Sequence, residues 1–161
     1  RLLKDMLKYF AMKNQLKTCG IYFVDKFGLL LICKATNGGW SIPKGLVDST
    51  DEGDLATAVR ELKEEANIDI YEDFDSIQMI KDLPKSTYKT RKKILISYLI
   101  KTKMSNDNFN LKCNSFFGKS AVQLPEIDQF KWVTINEAKN YLHESQINNL
   151  EMIKIHLKFA E

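Results

Sequence analysis

The hydrophobic positions of the chain alternate between two periods, and the places where the period changes define the elements. Residues 18–24 and 28–34 carry apolar runs on either side of the turn Asp25-Lys26-Phe27-Gly28, which reads as two strands joined by a tight connection. Residues 40–43 suit a short strand after a Gly-containing break. Residues 76–83, 94–103 and 129–133 read as further strands. Helical spacing places Leu3, Met6, Leu7 and Phe10 on one stripe near the N-terminus. A second stripe holds Leu55, Ala58, Val59 and Leu62 in a helix over residues 54–66, with Asp54 able to cap its start. Thr134-Ile135-Asn136-Glu137 has the capping-box pattern, and a last helix is expected over residues 145–159. The stretch 103–124 has no clear period and suggests a loop that covers a substrate. Strands interrupted by one early and one late helix predict an α+β domain, a mixed sheet flanked by helices.

Composition narrows the class without naming it. A chain of 161 residues suits one core, and 44% hydrophobic with 28% charged residues is ordinary for a globular protein. The net charge of +3 permits an anionic substrate and does not demand nucleic acid. No apolar run is long enough to span a bilayer, so no membrane partner is expected. The N-terminal stretch, with Arg1, Lys4, Asp5, Lys8 and Lys13 among apolar residues, reads as a surface helix extending a single domain. The same pattern occurs at the end of an organellar transit sequence. Cys19, Cys33 and Cys113 are odd in number and widely spaced, which argues against a disulfide framework or zinc site and makes a reducing cytoplasm the natural setting. His143 and His156 have no Ser or Cys partner in sequence and are assigned no catalysis.

The chemistry concentrates in residues 43–68, PKGLVDSTDEGDLATAVRELKEEANI. At about 100° per residue, Glu61, Glu64 and Glu65 share one face of the expected helix. Three like charges this close weaken an isolated helix, and a cation at that face removes the cost. Carboxylates are the ligands that Mg2+ and Mn2+ prefer, while such ions also hold substrate phosphates. A solvated acidic face, paired with Arg60 and Lys63, is the alternative for these residues taken alone.

The wider pattern decides between them. Gly45, Glu52, Arg60, Glu61, Leu62, Glu64, Glu65 and Ile68 resemble the signature of the Nudix hydrolases. A chance match to the fixed residues is on the order of one in 10⁵ at average residue usage. Two departures stand out. Six residues rather than five separate Gly45 from Glu52, so the extra residue is expected to bulge in the loop, with Asp51 as a competitor for the Glu52 slot. Asn67 replaces the Gly that ends the helix, and Asn is the next best residue for a left-handed conformation.

The resemblance implies a sandwich of a mixed sheet between helices, with the motif as a loop-helix-loop. It implies that Glu61, Glu64 and Glu65, with the backbone carbonyl of Lys44, hold Mg2+ or Mn2+, and that Arg60 orients the carboxylates with Glu52 as its partner. Glu126, just ahead of the strand at 129–133, is the candidate for a further metal ligand or a general base, against a surface turn acid. Trp40-Ser41-Ile42-Pro43-Lys44-Gly45 and the segment ending at Trp132 resemble dinucleoside tetraphosphate hydrolases and their bacterial relatives. Lys44 could bring a cation to a phosphate, and Trp40 could stack on a base or pack in the core. The basic stretch Lys81, Lys85, Lys89, Arg91, Lys92 and Lys93, with Tyr88 inside it, is a second phosphate-binding candidate against a solvated hairpin. The expected activity is hydrolysis of a phosphoanhydride bond in a small nucleotide or polyphosphate, diadenosine tetraphosphate first. Oxidised nucleotides, nucleotide sugars, capped RNA, inositol pyrophosphates and a nucleotide-sensing module without turnover are the alternatives.

Overall fold

The computed structural model describes residues 1–13, 16–88, 92–118 and 122–159, without the side chains of residues 8–13. An N-terminal helix, α1 (Leu2–Lys13), precedes β1 (Leu16–Val24) and β2 (Leu30–Ala35). β3 (Trp40–Ser41), β4 (Lys44–Leu46) and α2 (Asp54–Ala66) follow. Then come β5 (Ile77–Asp82), β6 (Ser86–Thr87), β7 (Lys93–Thr102), β8 (Phe116–Phe117) and β9 (Leu124–Pro125). β10 (Ile127–Val133), α3 (Ile135–Ala138) and α4 (Ile147–Lys158) close the fold.

The main sheet runs β10-β2-β1-β7-β5, with β3 on β2, β4 on β1 and β6 on β7. β1 and β7 are parallel in unbroken register from Leu16↔Lys93 to Val24↔Lys101, and every other pairing is antiparallel. The opposite edge of β1 is shared. Its end pairs with β2 at Val24↔Leu30, while its start pairs with β4 at Thr18↔Leu46, Cys19↔Gly45 and Gly20↔Lys44. A Cβ on Gly20 would stand 2.8 Å from the carbonyl oxygen of Pro43, so only glycine lets β4 approach this closely. That approach seats Lys44 and Gly45 against α2.

One apolar layer lies under α2. Ala58, Val59, Leu62 and Ala66 pack on Ile21, Phe23, Leu31 and Ile100. The other lies under α3 and α4, where Leu150, Ile153 and Ala138 meet Tyr22, Val24, Ile32 and Leu99. The sheet is therefore buried on both faces, which explains why β1 and β2 read as continuous apolar runs rather than alternating ones. The mixed sheet between helices agrees with the fold expected from the sequence. Leu55, counted in the apolar stripe of α2, is 37% exposed, and Ala66 completes the stripe instead. On α1, Leu3, Met6 and Leu7 are exposed, as in a surface helix.

Two local features fix the connections. Asp25 is buried, with one carboxylate oxygen accepting the Phe27 and Leu29 N–H groups and the other accepting from the Asn106 backbone and side chain. It thereby builds the β1–β2 turn and ties down the start of the irregular segment after β7. Thr134 accepts the Glu137 N–H while the Glu137 side chain accepts the Thr134 N–H, the capping box expected at the start of α3. Among the described residues no helix is long and apolar enough to cross a membrane.

Candidate active site

α2 begins at Gly53, whose φ of 111° suits only glycine readily, and not at an Asp54 cap. Asp54 lies in the first turn and pairs with Lys17 at 2.8 Å, anchoring the helix to β1. The helix ends at Asn67 with φ 62°, where the Asn67 N–H donates to the Lys63 carbonyl at 2.9 Å. The left-handed stop inferred for this position is thus present with Asn in place of Gly.

Arg60 spends its whole guanidinium on the motif. Nε and Nη2 donate to the two oxygens of Asp51 at 2.9 and 3.0 Å. Nη2 also donates to the Leu46 carbonyl at 2.8 Å, and Nη1 donates to Glu61 Oε1 and Glu64 Oε2 at 3.0 Å each. Asp51 further accepts the Asp48 N–H and the Thr57 hydroxyl. The Arg60 hydrogen bonds hold the Asp51 carboxyl down at about 2, and Asp51 in turn raises the Arg60 pKa. The expected partner, Glu52, is instead exposed to solvent. The loop keeps the five-residue spacing from Gly45 to Asp51, and the extra residue falls after the ion pair rather than before it. The fork of Arg60 needs a carboxylate facing it, and Asp51 is the one so turned.

The three glutamates occupy different depths. Glu65 is buried and accepts the Lys44 N–H at 3.0 Å. Glu61 is buried beside Gly45, so close that a Cβ on Gly45 would stand 2.1 Å from its carboxyl carbon. Glu64 is half-exposed and leans on Arg60. Burial pushes the Glu65 carboxyl up to about 8 and the Glu61 carboxyl to about 7. Lys44 moves the other way: burial, then the neighbouring Lys93, lowers it. Among the described residues no three acidic, His or Cys side chains already converge as a metal-ligand set, because Arg60 draws Glu61 and Glu64 to itself.

These groups open onto a cleft of about 520 Å³, walled by Lys44, Gly45, Arg60 and Glu61, with Lys93 from β7 and Glu126 from the β9–β10 junction. Glu126 is close enough to raise both Glu61 and Glu65. Its main chain is held from two sides: its N–H donates to the Ser115 carbonyl, and its carbonyl accepts the Thr36 N–H, each at 3.0 Å. The structure therefore brings Arg60, Glu61, Glu126 and Lys44 to one cleft, with Glu64 and Glu65 on the same helix. Among the described residues of the basic stretch, Lys93 lines it, paired in register with Leu16 at the start of β1.

Trp40 and Tyr88 are elsewhere. Trp40 packs on Tyr141 at 5.5 Å, with Lys131 against both rings, in the layer under α3 and α4. Tyr88 lies against His143 at 4.9 Å. Both rings are taken up by neighbours outside the cleft, so the base-stacking roles expected for them are not supported by their placement. Lys89 and Arg91 lie outside the described residues. Thr18, also on the cleft wall, was missed by sequence reasoning. Only the pairing of β1 with β4 could have pointed to it.

The model of the NUDIX domain family matches residues 14–153 of this chain. A phage T4 protein, the uncharacterized 17.7 kDa protein in the e-segB intergenic region, is 32% identical over 93 residues, which span 56% of this chain and 58% of that protein. Among solved structures, the Ap4A hydrolase of C. elegans in a binary complex superposes with a TM-score of 0.67 at 21% identity, covering 89% of this chain and 98% of that one. The NUDIX domain of Shewanella oneidensis NrtR complexed with ADP ribose gives 0.61 at 15% identity, covering 91% and 89%.

Proposed function

The chain belongs to the Nudix family, and from that premise we propose that it is a divalent-metal-dependent pyrophosphohydrolase acting on a nucleotide with a polyphosphate chain. The observation that carries the reading is the cleft itself: Glu61 on its wall, with Glu64 and Glu65 on the same helix, a further carboxylate at Glu126, and two lysines beside them. The residues suit Mg2+ or Mn2+. Their donors are hard carboxylate oxygens, and the Glu61 carboxylate occupies the space that a Cβ would fill at Gly45, so the site is kept open for it. Glu61, Glu64 and Glu65, with the Lys44 carbonyl, would hold the ions. When bound, such ions polarise phosphate oxygens and lower the pKa of water.

The chain's own residues supply the rest. Arg60 holds Glu61 and Glu64 in place through its fork on Asp51, a positioning task that a point charge cannot perform. Glu126 is offered as the group that accepts a proton from the attacking water or adds a metal ligand. Lys44 and Lys93, both on the cleft wall, would neutralise phosphate oxygens along the chain of the substrate.

Within this class we favour dinucleoside polyphosphates such as diadenosine tetraphosphate. The Trp40-to-Gly45 run, the lysines of the cleft and the fold likeness to the C. elegans Ap4A hydrolase support that choice. The fold likeness to a domain complexed with ADP ribose makes a nucleotide sugar the competing substrate. The test is kcat/KM for diadenosine tetraphosphate, ADP-ribose and a nucleoside triphosphate. The same panel is run on a variant in which Lys89, Arg91 and Lys92 are neutralised together. Preference for the tetraphosphate, with KM rising most for it in the variant, supports the reading. Preference for either other substrate, or equal effects on all three, refutes it.

A further inference from the structure

The one substitution within the motif, Asn67 where the family pattern has Gly, is not idle in the fold. Its Nδ2 donates to the Asn110 carbonyl at 3.0 Å, and its Oδ1 accepts from Asn114 Nδ2 at 3.1 Å. Asn114 is bound to the same helix end by its backbone as well, donating its N–H to the Glu64 carbonyl at 2.6 Å. The segment over residues 110–114 is thus fastened to the last turn of α2, where carbonyls would otherwise be left without donors. The next residue carries the linkage on. Ser115 accepts the Glu126 N–H on its carbonyl at 3.0 Å and donates its hydroxyl to the Glu126 carboxylate at 3.3 Å.

We propose that Asn67 and Asn114 are positioning residues that strap the 110–115 segment to α2 and so hold Glu126 at a fixed distance from the glutamates of the helix. The inference rests on the reading of Glu126 as a group that acts in the cleft. A glycine at 67 gives the same backbone without either of the side-chain bonds of the strap, leaving only the bonds of Asn114 to the carbonyls of Lys63 and Glu64. The side chain of Asn does both jobs, because it tolerates φ near 62° and carries a donor and an acceptor. Glu126 lies at the junction where β9 ends and β10 begins, outside both strands. Its register with α2 therefore depends on Thr36 on one side and on this strap on the other.

The experiment pairs amide hydrogen exchange of the metal-free protein with a kinetic cycle on the best substrate of the three above. Asn67→Gly keeps the left-handed stop and removes both side-chain bonds. Asn114→Ala removes the other half of the pair. In each variant, peptides covering 110–118 and 124–130 should exchange at least about tenfold faster, while peptides from the first two turns of α2 and from β1 stay at wild-type rates. The kcat should fall about tenfold with KM within about twofold, because the loss is one of geometry at the reacting atoms. Asn67→Asp, which retains the acceptor for Asn114, should recover part of it. In a Glu126→Gln background, Asn67→Gly should change kcat by less than about twofold, since the strap has nothing left to position. Unchanged exchange, or losses that multiply with Glu126→Gln, overturns the strap and leaves the role of Glu126 standing. Wild-type kcat in Glu126→Gln overturns the reading beneath it and the inference with it. Absence of turnover on all three substrates refutes the proposed function, and the exchange rates still decide whether the strap exists.

Discussion

Replacing Gly45 by Ala is a one-atom probe of the site. Gly45 sits in β4 with an ordinary backbone conformation, so alanine introduces no dihedral strain. Its Cβ, however, would stand 2.1 Å from the Glu61 carboxyl carbon and 2.2 and 2.4 Å from its oxygens. The carboxylate is the far end of a flexible side chain and yields more readily than backbone, so it retreats by roughly 1 Å or more. A displacement of that size at a reacting centre costs on the order of 10²-fold in rate, about 2.7 kcal/mol of barrier. The fold should hardly notice. The change in unfolding free energy should stay within about 1 kcal/mol, a shift in Tm of about 2–4 °C for a chain of this size. The assay is kcat on the fastest substrate of the panel, with thermal unfolding alongside. Wild-type kcat in Gly45→Ala would show that the placement of Glu61 does not matter. A collapse of Tm by more than about 10 °C would show that Gly45 serves the fold rather than the site.

Asp51→Asn should cost about 1–3 kcal/mol of stability and lower kcat with it, whereas Glu52→Gln should match wild type in both, measured by denaturant unfolding and turnover. Because Arg60 holds the Asp51 carboxyl at about 2 against an ordinary 3.8, its stabilisation is complete above 3.8 and is lost as pH falls toward 2. The difference in Tm between wild type and Asp51→Asn should narrow over that window, and a constant difference would rule out the ion pair as its source. Arg60→Lys retains one charge and loses the fork that spans Asp51, Glu61 and Glu64, so kcat should fall at least about tenfold, and an equally active lysine variant would contradict the positioning role.

Much of this site could be read from the sequence, and the misses have physical causes. The bounds of α2 follow from its apolar stripe and its left-handed stop, both local features. The strands β1, β2, β5, β7 and β10 were found because each is six residues or longer and strongly apolar or alternating. β4, β6, β8 and β9 are two or three residues long and exist only because a partner strand lies beside them. Glu52 was preferred to Asp51 because a sequence does not say on which side of an ion pair an extra residue will fall, and the loop settled it by two bonds, from the Asp51 N–H to the Asp48 carbonyl and from the Asp48 N–H to the Asp51 carboxylate. Trp40 could stack or pack from its sequence alone. Tyr141 and Lys131, about a hundred positions away along the chain and brought beside it by the fold, decide that it packs. Lys93 was legible as a cation and not as a member of the cleft, because its place depends on the parallel register with β1.

The central claim is tested most directly by turnover as a function of metal, in wild type and in Glu65→Gln. Glu65 is buried, and its isosteric amide removes the carboxylate charge while keeping the shape of the side chain. The account predicts hydrolysis that appears with Mg2+ or Mn2+, disappears in excess chelator and is reduced by orders of magnitude in Glu65→Gln at every metal concentration, with Tm preserved. Full activity in chelator, or wild-type turnover in Glu65→Gln, would contradict it.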